Sequence, residues 1–467
     1  MKHSLVRGVT WACAMAVAQL GLAQTLTVEQ AKEMRKDVST AQAAVDSDPS
    51  PSAEAVKAKA ALDRVGKQLD TFISDAEKAA AEKAADIYDK GKKYPPLSSV
   101  QIEPFDVAPG ATVVQVPVVM DKPSVNTVIA HVRVYDGKGG RADPDTSKAV
   151  IFRPGDPLTK TVAFKVKGMT EGSTVKATQQ DEPDGGKRKG GPIDITAKAG
   201  ATNDAVPDTG RAALKFEPTG QLVYNETGAT IQYDDNGGPG KFSTALQHGR
   251  TQVGNGETGY YGTVDMGGFS RDGDALVLTS KRLDKPMSVG QPAMQYPFLA
   301  VMLSGHNTPE TQFKYGSAEW VVKMSNRKGS WPALWLLPVA GWPPEIDVYE
   351  GFGYNGSWVF KSDLSTNLHG GDNNQRTFTR PAQRMKMSDF GLKNTLDSEF
   401  HTFGVTVTPE LITMFVDGVE TMQYANPFKG ETWYPLTNVA VKAEPNSKYD
   451  DGSGAMVLKS LKIWRAE

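Results

Sequence analysis

Glu345-Ile346-Asp347-Val348-Tyr349-Glu350 places three carboxylates in one short, β-prone segment, a few residues after the Trp-rich run Trp331-Pro332-Ala333-Leu334-Trp335. Acidic groups inside an otherwise apolar strand are costly to desolvate, so a chain that keeps three of them there uses them. Side chains alternate along a strand, which puts Glu345 and Asp347 on one face and Glu350 on the other. One extra residue in a β-bulge around Val348-Tyr349 restores Glu350 to the shared face. At roughly 3.3 Å per strand step, the two glutamate backbones then lie about 13 Å apart. Inward-leaning side chains can close that to the ~5–5.5 Å between carboxyls that double displacement at a glycosidic bond requires. The bland alternative is a charged, solvated edge strand.

The surrounding motifs decide between these readings. In chain order they are Gly254-Asn255-Gly256-Glu257 with Tyr260-Tyr261, the stretch Arg271–Leu278, Ser304-Gly305 with Phe313–Glu319, the run Gly329–Pro338, and Phe400–Gly404 leading into Ile412–Gly418. Together they resemble glycoside hydrolase family 16, the β-jelly-roll endoglycanases that include laminarinases, lichenases, agarases and carrageenases. The resemblance covers roughly residues 211–467.

It implies a nucleophile at Glu345, a general acid/base at Glu350, and Asp347 hydrogen-bonded to Glu345 to tune the charge of the pair. Chemistry demands such a split, because one carboxylate must be ionised to attack and the other protonated to release the leaving sugar. Crowded carboxylates resist simultaneous ionisation and titrate as a unit. Trp331, Trp335, Trp342 and Trp358 are candidate platforms for sugar rings, with core packing as the alternative for Trp335. Asn367 and His369 alternate onto one strand face and match the family's strand beside the catalytic one. Glu257 and Glu319 match family positions that approach the substrate. Pro344 stands where many laminarinases have Gly, and Pro343-Pro344-Glu345 looks more like bacterial endoglycanases acting on exopolysaccharides such as succinoglycan. The resemblance implies no cofactor and allows a structural calcium ion, although no Asp-rich loop demands one.

The elements that position these residues form a mainly β chain. Its 467 residues, net charge of −2 and 46 Gly suit two or three domains. Near-neutral charge offers no basic face for nucleic acid. Lys2, Arg7, the apolar run Gly8–Leu20 and small residues before Gln24 read as a secretory signal over 1–23, too short for a membrane span. The expected location is secreted or periplasmic. The single cysteine, Cys13, falls inside that signal, so the mature chain has no thiol chemistry.

Residues 24–96 read as a helical hairpin. Thr27 and Gln30 form a capping box, and Val28, Ala31, Met34, Val38, Ala41 and Val45 keep helical spacing. Ser50-Pro51 start a second helix with a seam of Leu62, Val65, Leu69, Phe72, Ala76 and Ala79. The pair is an oligomerisation element or a spacer. Residues 97–200 read as a β-sandwich resembling Calx-β or immunoglobulin-like modules, with strands over 113–119, 128–135, 150–152, 162–166 and 175–178. Its aromatics are Phe105, Tyr135, Phe152 and Phe164, with no Trp, which favours a spacer over a carbohydrate-binding platform. Lys187-Arg188-Lys189 reads as a solvated loop, and residues 201–210 as the linker to the jelly roll.

Other catalytic templates fail: there is no H-E-x-x-H, no G-x-S-x-G, no P-loop and no thiol nucleophile. The expected activity is a retaining endo-β-glycanase. The alternatives are a polysaccharide-binding jelly roll without catalysis and a transglycosylase using the same site.

Overall fold

The computed structural model of the protein describes residues 28–46, 52–89, 97–136, 147–180, 183, 186–202, 210–325, 327–353, 362–372, 375–380, 385–393, 395–443 and 454–466. The expected signal segment, Trp358 and residues 203–209 of the expected linker lie outside them. The chain divides into two compact units, residues 1–93 and 94–467.

In the first unit, helices Val28–Asp46 and Ala53–Asp89 form a hairpin. Ala31, Val38, Leu62, Val65 and Leu69 are buried in the seam, with Met34, Ala41, Val45 and Phe72 against it. These are the positions that helical periodicity singles out. Arg35–Asp70 and Gln42–Asp63 cross-links run in opposite chain order, so the helices are antiparallel. The second helix starts two residues later than expected. The Ser52 hydroxyl accepts the Ala55 N–H at 3.2 Å and takes the N-cap position, while Ser50-Pro51 lie outside the described residues.

Residues 98–197 make two sheets over one apolar core. Strand Val113–Met120 shows why: Val114, Val116, Val118 and Met120 are buried, while the residues between them are not. The basic run is not a loop. Gly186–Arg188 pairs in parallel with Ser98–Val100 and turns Lys187 and Arg188 outward. Glycine is required there, since a Cβ on Gly186 would come within 2.9 Å of Val128.

This sandwich is fastened to the following domain rather than hung from it. Thr127 donates its N–H to the Gln423 carbonyl (3.0 Å), and the Thr127 hydroxyl and Asn126 amide oxygen accept from Gln423 and Ala425 on the strand Val419–Ala425. Buried Glu420 accepts both Arg211 guanidinium nitrogens (2.7 and 2.8 Å) and the Leu214 N–H, with Arg153 of the sandwich 3.7 Å away. Asp156 accepts backbone N–H groups from Arg153 and Arg211 and pairs with buried Lys160. A sheet edge that would otherwise be open is thus covered.

From Gln221 onward the chain builds a jelly-roll sandwich. One sheet centres on strands Gly454–Ala466, Tyr315–Lys323, His401–Val407, Leu411–Val416 and Val419–Ala425. The other runs through Met294–Ser304, Trp433–Val441, Ser330–Pro338, Glu345–Glu350 and Asn367–Asp372. The long strand Ala275–Val289 joins them, pairing first with Gly454–Leu458 and then with Met294–Leu299. Between the sheets lie Trp320, Phe403, Val405 and Met414 from the first, and Leu303, Leu334, Leu336, Ile346, Leu368 and Val439 from the second. Period-two alternation therefore turns Trp331, Trp335, Tyr434, Leu436 and Ala440 to the second sheet's other face, where they form a separate cluster. No described helix is long and apolar enough to cross a membrane.

Candidate active site

The strand Glu345–Glu350 carries the expected bulge. Leu334 faces Tyr349, but Trp335 faces Asp347, so Val348 is the extra residue. Val348 and Tyr349 both pack into the core between the sheets. Two successive inward side chains reset the alternation, and Glu350 joins Glu345 and Asp347 on the outer face. Asp347 is 1% exposed and Glu350 9%, while Glu345 is partly exposed.

Neighbouring strands fix each carboxylate. The Trp342 indole donates to Glu345 Oε2 at 2.6 Å. The Trp331 indole donates to Glu350 Oε1 at 3.2 Å, and the Asn367 amide donates to Glu350 Oε2. His369 Nε2 stands 3.0 Å from Asp347 Oδ2. Register explains the encounters: Glu345 lies opposite His369 and Asp347 opposite Asn367. Burial pushes the Glu345 carboxyl above the ordinary range, and Asp347, both as a negative charge and as a hydrogen-bond partner, adds to it. Burial also raises Glu350, followed by repulsion from Glu345. His369 and the indole and amide donors push both back.

Glu345, Asp347 and His369 bring ligand atoms within 4.8 Å of one another, close enough to suggest a cation. Their contacts argue otherwise. Asp347 is hydrogen-bonded to Glu345, and the Trp342 N–H already holds a Glu345 oxygen. A carboxyl–carboxyl hydrogen bond needs a proton, and an N–H donor competes with a cation for the same lone pairs. The cluster suits proton chemistry better than metal binding.

Six of the expected substrate-binding residues converge here: Trp331, Trp335, Trp342, Asn367 and His369 around the carboxylates, and Glu257 at the margin. Trp335 donates to Asn438 Oδ1 at 2.6 Å and remains partly exposed, so it is not wholly a core residue. Trp342 is 38% exposed, a flat apolar surface beside Glu345. Glu257 is buried and accepts from Tyr261 (2.9 Å) and Asn255, and burial pushes its pKa up to about 7. Lys442 links it to the site, lowering the Glu257 pKa and lying 5.9 Å from the Trp331 ring centroid. Glu319 does not reach the site. Its strand belongs to the opposite sheet, and its neighbours Ala318 and Trp320 point into the core, which turns Glu319 outward to Lys462 at 3.1 Å.

Three site residues escaped the sequence reading: Tyr434, Asn438 and Lys442. Tyr434 is buried and its hydroxyl is held protonated, by burial first and then by the nearby Glu345. The available signal was alternation within Trp433–Val441, which puts Tyr434, Leu436, Asn438 and Ala440 on one face.

Residues 265–448 match the family model described as Glycosyl hydrolases family 16. Over these residues the chain is similar to that family. The chain is 29% identical over 226 residues to the endo-1,3-1,4-beta-glycanase ExsH of Rhizobium meliloti, covering 46% of this chain and 44% of that protein. It is 28% identical over 229 residues to the endo-1,3-1,4-beta-glycanase EglC of the same organism, covering 47% and 45%. The chain thus spans under half the length of these relatives. Among solved structures, the laminarinase catalytic domain of Thermotoga petrophila aligns over 53% of this chain and 98% of its own, at 20% identity and a TM-score of 0.41.

Proposed function

We propose that the protein is a retaining endo-β-glycanase that hydrolyses internal β-glycosidic bonds of a polysaccharide, with β-1,3/1,4-glucan or a bacterial exopolysaccharide as substrate. The bulge at Val348 is the observation that carries this reading, because it gathers buried Glu350, partly exposed Glu345, both of raised proton affinity, and Asp347 on one face. In the first step a Glu345 oxygen attacks the anomeric carbon. The bond to the leaving sugar's oxygen breaks with its electron pair, and the Glu350 proton passes to that oxygen. In the second, water gives its proton to Glu350 and its oxygen to the anomeric carbon, and the bond to Glu345 breaks. Two inversions leave the configuration unchanged.

The surroundings support this division of labour. The Trp342 N–H and His369 favour the ionised form of Glu345, as attack requires, against burial and the neighbouring Asp347, which raise its proton affinity. Trp331 and Trp342 flank the two glutamates as apolar platforms for sugar rings. The names of the Rhizobium meliloti relatives, together with Pro343-Pro344 before the nucleophile, favour β-1,3/1,4-linked glycans of bacterial origin. Proton NMR of the first product released from such a glycan tests the mechanism: the β-anomer is expected, and the α-anomer would refute double displacement.

The N-terminal signal pattern supports work outside the cytoplasm, secreted or periplasmic. Sequencing of the mature protein is expected to begin at Gln24; an intact Met1 in the exported fraction would overturn this.

A further inference from the structure

Asn367 was expected to contact substrate, but its amide is spent elsewhere. We propose that Asn367 is a positioning residue that orients the acid/base Glu350, a proposal that rests on the role given to Glu350 above.

Both oxygens of Glu350 carry a donor, the Trp331 indole on Oε1 and the Asn367 amide on Oε2. A glutamate has three rotatable bonds, and a general acid that wanders loses the alignment its step needs. Two directional N–H groups, one on each oxygen and each from a different strand, fix the plane of the carboxyl group. Each oxygen keeps a second lone pair, so the transferred proton still has a place. The same segment also holds the Glu350 backbone: its N–H donates to the Ser365 carbonyl at 2.9 Å, and the Asn367 amide lies 3.4 Å from the Ser365 hydroxyl. Asn367 is only 5% exposed, which leaves little of it for a sugar to touch. The donors are also neutral. A guanidinium here would hold Glu350 ionised, whereas an indole and an amide orient it and leave it able to take a proton.

The test separates proton donation from binding. For Asn367→Ala and the near-isosteric Asn367→Asp, kcat/KM is measured on an oligosaccharide of the glycan and on the 2,4-dinitrophenyl glycoside of the same glycone. Both values report the glycosylation step, but dinitrophenolate leaves without a proton. General acid catalysis is worth about 10²–10⁴-fold, and misalignment forfeits part of it. The expected loss is roughly ten- to hundredfold on the oligosaccharide and under about threefold on the dinitrophenyl glycoside, whose turnover also reports an intact fold. Equal losses on both substrates, or none on either, would overturn the proposal. Glu350→Ala measured alongside is expected to show the same selectivity, enlarged. If Glu350→Ala is selective and the Asn367 variants are not, the inference about Asn367 alone fails; if Glu350→Ala itself loses both equally, the acid/base reading falls and the inference with it.

Discussion

Glu420 and Glu350 are the same residue type, both buried, in the same domain, and their surroundings differ in one respect. Glu420 meets Arg211 through two charge-assisted hydrogen bonds, with Arg153 behind it. Glu350 meets an indole, an amide and the neighbouring Glu345. Cations neutralise the first and lock the sandwich onto the jelly roll. Neutral donors aim the second without cancelling its charge, so burial raises its proton affinity toward the range where acid catalysis works. A buried carboxylate with an arginine fork is a fastening, and one held by neutral donors beside another carboxylate stays able to take up a proton, as the role proposed for Glu350 requires.

The sharpest way to break that contrast is to exchange the consequences of mutation. Glu345→Ser is expected to lower hydrolysis by at least about 10⁴-fold while leaving the thermal transition where it was or higher; wild-type-like turnover would remove Glu345 from the chemistry. Arg211→Ala should do the reverse. Stranding Glu420 is expected to cost about 3–5 kcal/mol of stability, read by denaturant unfolding, with kcat/KM of the folded fraction within about twofold of wild type.

A subtler separation comes from pH. Glu345 and Glu350 bind protons more tightly folded than unfolded, so the native state holds protons that the unfolded chain releases above the ordinary glutamate value of about 4.5. Stability then falls as pH rises through that value toward the raised folded ones. Glu345→Gln should flatten this decline, matching wild type at pH 4 and exceeding it at pH 9; a steeper decline in the variant would contradict the raised proton affinity of Glu345. The smallest effect belongs to Glu319→Gln. Its outward position predicts less than about a twofold change in kcat/KM, and a loss of tenfold or more would return it to the site.

Much of the site was legible because strand alternation is a strict rule. Glu350 fell on the wrong face by simple counting, and a bulge was the smallest correction. The same counting gave the helical seam, where Leu62, Val65 and Leu69 are buried as their spacing implies. Glu319 went astray because a motif match names a strand without saying which sheet holds it. Tyr434 and Asn438 were hidden for a different reason: every residue of Trp433–Val441 is buried, so its two faces look alike in composition. The fastening of the sandwich could not be read at all. Arg211 and Glu420 are 209 residues apart, and nothing in either local sequence reports the other.

Covalent trapping would test the contrast between the two glutamates most directly. A 2-deoxy-2-fluoro glycoside with a dinitrophenyl leaving group slows the second displacement and lets the glycosyl-enzyme accumulate, and peptide mass spectrometry then locates the sugar. The expected result is one added glycosyl unit on Glu345, with Glu350 and Glu420 unmodified. A label on Glu350 or Asp347, or turnover that releases the inverted sugar with no adduct, would contradict it.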